Sequence, residues 1–103
     1  MIYAIDIDGI LCNDMLGDYK NSIPNYESID RVNKLYDSGH TIKIFTGRGS
    51  ATGIDWYDFT VKQLDGWNVK YHELILGKPH LDIIVDDKAI SLKEWNSGIT
   101  TLD

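Results

Sequence analysis

The chain has 103 residues, 43% of them hydrophobic, with 16 acidic against 10 basic side chains and a net charge of −6 at pH 7. That length bounds a single domain, residues 1–103, with one core and no separate lid. The acidic balance repels a polyanion and disfavours extended nucleic-acid binding, while a small phosphate ester stays compatible wherever a metal and one or two cations reverse the local field.

Residues 2–7 read as a fully buried strand that closes on two aspartates, Asp6 and Asp8, followed by Gly9. Residues 10–24 hold Asn13, Asp14, Gly17, Asp18, Asn21 and Pro24, the composition of a loop or flap. From Tyr26 to Ser38, the residues Ile29, Val32, Leu35 and Tyr36 recur at helical spacing, and Gly39 marks a stop. Residues 41–46 (TIKIFT) form a second predicted strand, closed by the turn Gly47, Arg48, Gly49. A second helix is expected over 54–65, a third strand over 69–76 with His72 and Glu73 as the point where it can split, a fourth over 83–85, and a short last helix over 91–96. Strands alternating with helices imply βαβ units: a Rossmann-like three-layer α/β sandwich whose mainly parallel sheet has about four strands. In such sheets ligands bind beyond the carboxyl ends of the strands, where Asp6, Asp8, Thr46, Asp86 and Asp87 are all expected.

Two carboxylates at a strand tip repel each other and lose hydration, so they call for a cation. Asp6 is the expected nucleophile toward phosphorus, forming an aspartyl-phosphate. Asp8, on the same side of an extended chain, would protonate the leaving alkoxide and then deprotonate the attacking water. Thr46 on its own is an ordinary strand-ending residue; with Gly47 and Gly49 it offers a hydroxyl and amides to phosphoryl oxygens. Arg48 reads equally as a bidentate substrate grip or as a solvated surface arginine. Lys78, set between Gly77 and Pro79, would screen charge between nucleophile and phosphoryl group. Asp86 is the expected magnesium ligand beside Asp6, with the Asp8 main-chain carbonyl as a third donor and Asp87 acting through water or in support.

These residues resemble the four motifs of the haloacid dehalogenase superfamily: DIDG at 6–9, FTGR at 45–48, GKP at 77–79 and VDD at 85–87, in that order. The resemblance implies Asp6 as nucleophile, Asp8 as general acid/base, Thr46 and Lys78 as phosphoryl binders, and Asp86 with Asp87 for Mg2+. LCN at 11–13, GHTIKIFTGRG at 39–49 and the later GIDW and KYHEL are also similar to a small subgroup of sugar-phosphate phosphatases associated with capsular polysaccharide biosynthesis. Ile10 departs from the threonine usual after the first motif. No insertion is long enough for the cap domain many members carry, which implies an open site for a large substrate or a neighbouring subunit of a homo-oligomer that covers it. Trp56, Tyr57, Trp67 and Trp95 are candidate interface or core aromatics.

The expected activity is therefore magnesium-dependent hydrolysis of a small phosphorylated metabolite, a sugar phosphate by preference. A receiver-like domain is the first alternative, but it would carry its acidic pair on the first strand and its phosphoacceptor on a middle one. A catalytically idle phosphate-binding scaffold is the second, and it has no need of four convergent carboxylates. His40, His72 and His80 show no metal-ligand spacing, and Cys12, the lone cysteine, lacks a paired histidine. With no internal disulfide available, no basic-then-apolar leader and no apolar run near the ~18 residues of a membrane span, the expectation is a soluble cytoplasmic protein.

Overall fold

The apolar run at the start of the chain and its two successors pair side by side. In the computed structural model, which describes residues 1–102, β1 (Ile2–Ile5), β2 (Thr41–Thr46) and β3 (Glu73–Leu76) form one parallel sheet in the order β1-β2-β3. Ile5 lies opposite Ile44, which lies opposite Leu74. The crossovers carry α1 (Tyr26–Asp37) and α2 (Tyr57–Gly66), and α3 (Leu92–Asn96) follows the sheet.

Local chemistry sets most boundaries. Asn25 caps α1 by accepting the Ser28 N–H, satisfying one of the amides a helix start leaves open. The helix ends where the amides of Gly39 and His40 fold back on the carbonyls of Tyr36 and Leu35. Ser91 and Glu94 exchange side-chain and main-chain bonds in a capping box at the start of α3. β3 begins at Glu73 rather than at residue 69. His72 explains the delay: its ring Nδ1 accepts the Ile42 N–H at 3.0 Å, taking a ladder position that a strand carbonyl would otherwise fill.

The core occupies one side of the sheet. Ile5, Ile42, Ile44 and Leu74 bury against Ile29 and Val32 of α1, Leu64 of α2 and Trp95 of α3. Trp95 is locked there by its indole N–H, which donates to Ser28 Oγ at 2.8 Å, while Arg31 stacks over its ring. The opposite face carries Ile2, Ala4, Lys43, Phe45, Glu73 and Ile75, none of which joins that cluster. Among the described residues the expected three layers are thus two, with α1, α2 and α3 packed on one face of the sheet. Two right-handed crossovers that step in one direction along a sheet place both helices on the same side, and the order β1-β2-β3 is such a progression.

The expected fourth strand at 83–85 does not form. Ile83, Ile84 and Val85 are 83%, 58% and 95% exposed and belong to no sheet. A parallel strand needs a crossover of a dozen or more residues, whereas only residues 77–82 separate β3 from Ile83. Asp86 and Asp87 therefore sit on an exposed irregular segment instead of at a strand tip, with Asp86 Oδ1 accepting the Lys88 N–H. Among the described residues no helix is long and apolar enough to cross a membrane.

Candidate functional site

The carboxyl ends of all three strands meet at one edge of the sheet. β1 stops at Ile5, and the chain then wraps around the Ile7 carbonyl, which accepts the amides of Ile10, Leu11 and Cys12. Side-chain alternation from the strand therefore does not govern Asp8. Asp6 Oδ1 accepts the Ile7 N–H at 2.8 Å, and its Oδ2 pairs with Lys78 Nζ at 3.1 Å. Asp8 turns to a different cation. Its Oδ2 and Oδ1 accept Arg48 Nε at 2.9 Å and Nη2 at 3.0 Å, a two-pronged match of guanidinium to carboxylate.

Arg48 is held on every side. Its remaining nitrogen, Nη1, donates to Thr60 Oγ1 of α2 at 3.2 Å, and the Tyr19 ring lies 4.3 Å from the guanidinium carbon. Tyr19 belongs to a short 3-10 turn, Tyr19–Asn21, in the flap. Trp56 meets it edge to face at 4.9 Å, and Gln63 Nε2 holds its carbonyl at 2.7 Å. The expected flap is thus docked on α2, over the arginine.

The glycine-bracketed turn after β2 is built for close approach. A Cβ on Gly49, whose φ is +82°, would collide with the Ile54 carbonyl, and one on Gly47 would stand 3.3 Å from the Lys78 carbonyl. Residues 54–56 are spent packing on this turn, which is why α2 starts at Tyr57 instead of residue 54. Thr46 is fully buried; its hydroxyl accepts the Arg48 N–H at 3.2 Å and its carbonyl the Lys78 N–H at 3.2 Å. Ser50 Oγ donates to the Lys78 carbonyl at 2.6 Å, tying the turns after β2 and β3 together.

The structure thus brings together Asp6, Asp8, Thr46, Gly47, Arg48 and Lys78, and leaves Asp86 and Asp87 outside the group. Of the two readings its sequence context allowed, Arg48 is not the solvated surface arginine: it is 2% exposed and engaged by Asp8 and Thr60. Thr60 and Ser50 were not singled out from the sequence; a polar residue on the apolar stripe of α2 was the available signal for Thr60. Cys12 is buried, its Sγ 3.6 Å from Asp8 Oδ1 and 3.7 Å from the Ile7 carbonyl. Burial first, then the charge of Asp8, push its thiol up to about 11, so it stays protonated and is no nucleophile at neutral pH. Burial likewise raises Tyr19, with the charge of Asp8 adding to it. His40 pairs with the N-terminal amine and His72 with β2, so both serve structure.

As oxygen donors, the carboxylates suit magnesium, which takes one or two of them plus water and substrate oxygens. Among the described residues, however, no group of three or more His, Cys, Asp or Glu is placed to hold a metal ion.

No protein-family model and no curated protein matches the chain. Its fold is similar to the crystal structure of a structural-genomics target from Vibrio cholerae, with a TM-score of 0.83 and 28% identity over 93% of this chain and 87% of that one. The resemblance therefore spans nearly the whole of both molecules.

Proposed function

We propose that the chain is a capless hydrolase of the haloacid dehalogenase type, a magnesium-dependent phosphatase acting on a small phosphate monoester, with a sugar phosphate as the preferred class. One observation carries the reading: two aspartates leave the carboxyl end of β1, and each meets a cation delivered from the end of another strand, Lys78 for Asp6 and Arg48 for Asp8. A structural role gives no reason for four charges to converge on one sheet edge, since surface pairs contribute only ~0–1 kcal/mol and buried ones often nothing net.

In this reading an Asp6 oxygen attacks phosphorus, the P–O bond to the leaving alkoxide breaks, and the phosphoryl group rests on Asp6. Asp8 gives a proton to the alkoxide and takes one from the water that frees the phosphate. In the arrangement on view both Asp8 oxygens act as acceptors, which suits the second of these steps. Lys78 offsets repulsion between the carboxylate and the phosphoryl oxygens. Thr46 and Gly47 shape the cradle by holding the turn that carries Arg48 against the Lys78 loop. Of the expected magnesium ligands only Asp6 and Asp8 stand at this edge. A magnesium ion there would take its carboxylate donor from Asp6 and its remaining oxygens from water and substrate, supplying neutralising charge when bound, while Asp86 and Asp87 stand apart.

The test is phosphate release from a panel of sugar phosphates and nucleotides, with magnesium and with a chelator. The reading predicts turnover that needs magnesium, none in Asp6→Asn, and a loss of at least ~10²-fold in Asp8→Asn. Near-wild-type hydrolysis by folded Asp6→Asn would sink it.

A further inference from the structure

A fully enclosed arginine is costly to place. Each ion taken from water loses several kcal/mol of hydration, and apolar side chains of similar volume often serve stability as well or better. Arg48 is 2% exposed, yet each of its guanidinium nitrogens meets a partner: Nε and Nη2 the two Asp8 oxygens, Nη1 the Thr60 hydroxyl. Tyr19 covers its face at 4.3 Å. With its nitrogens engaged and its face covered, the side chain has no edge left to offer a ligand, but it fixes a carboxylate in both position and plane.

We infer that Arg48 is a positioning residue for Asp8: it holds the Asp8 carboxylate in the orientation that proton transfer beside Asp6 requires, and does not bind the substrate phosphate. This rests on the reading of Asp8 as the general acid/base. A proton acceptor must lie within ~2.6–3.2 Å of its partner atom, and the two-pronged pairing removes the rotation that would spoil that distance. Lysine carries the same charge without the fork. Thr60 and Tyr19 belong to the device, because they stop the guanidinium from turning with its load.

The experiment uses p-nitrophenyl phosphate with magnesium as the probe reaction and calorimetric binding of inorganic phosphate as a second readout. Arg48→Lys is expected to lower kcat at least ~10-fold while KM and phosphate affinity stay within about twofold. Thr60→Val, nearly isosteric and touching Asp8 only through Arg48, is expected to lower kcat severalfold at unchanged KM. In an Asp8→Asn background, Arg48→Lys is expected to add no further loss, since a residue acting through Asp8 has nothing left to position. A tenfold loss of phosphate affinity in Arg48→Lys would make it a substrate ligand and overturn the proposal. So would losses that add fully in the double variant, or an unchanged kcat in folded Arg48→Lys. If the arginine variants do not fold, Thr60→Val decides alone, and an unchanged kcat there overturns the proposal. Failure of the phosphatase reading looks different: the wild-type protein itself then shows neither turnover nor phosphate binding, and the positioning role falls with it.

Discussion

Asp6 and Asp8 stand two residues apart and depend on different surroundings. Asp6 is fixed by its neighbour's amide and by a lysine from beyond β3; Asp8 is fixed by an arginine that α2 and the flap enclose. Cys12 lies behind Asp8 and reports on that pocket. Because its folded-state value near 11 lies above the ordinary 9.0, the thiol contributes stability that is present below about pH 9 and is lost as the pH rises toward 11. The wild-type melting temperature is expected to fall across that window by more than that of Cys12→Ala. Cys12 is also expected to resist iodoacetamide at pH 8 until the protein is denatured. Equal pH slopes for the two proteins would show that burial and Asp8 do not hold the proton.

The elements divide into those that local chemistry settles and those that need the whole chain. TIKIFT alternates apolar residues on one side and ends in a glycine turn, and β2 spans Thr41–Thr46 as that pattern dictates. The apolar periodicity of α1 and its glycine stop are equally plain. By contrast, the apolar triplet Ile83–Val85 satisfies every local rule for a strand and pairs with nothing. Its outcome depends on crossover length, which composition does not express. Arg48 was illegible for a similar reason: nothing in GRG reveals that Thr60, on the buried stripe of a later helix, stands ready to enclose it. The two-layer architecture has a consequence for stability. Leu64→Ala, in the covered layer, is expected to cost ~2–5 kcal/mol, and Ile2→Ala, on the open face and 70% exposed, no more than ~0.5 kcal/mol. Denaturant unfolding of the two variants measures both; similar costs would mean that the open face is covered in solution.

At the scale of the molecule, a Cα radius of gyration of 13.2 Å matches the ~13 Å of one compact domain of this length. Among the described residues α1, α2 and α3 bury against one side of a three-stranded sheet, and the flap at residues 10–24 docks on α2 over Arg48. The convergent charges at the strand tips sit on a molecule of net charge −6, so Lys78, the partly exposed cation of the group, matters as a local positive charge on an acidic surface, while Arg48 is enclosed and paired with Asp8. The account as a whole turns on whether Asp6 carries phosphate during turnover. The direct measurement is mass spectrometry of the protein quenched in acid while it hydrolyses p-nitrophenyl phosphate with magnesium. The account predicts a phosphoryl group on the peptide bearing Asp6, absent in Asp6→Asn and absent with a chelator. Steady turnover with no phosphate on Asp6, or with phosphate on another residue, would contradict it.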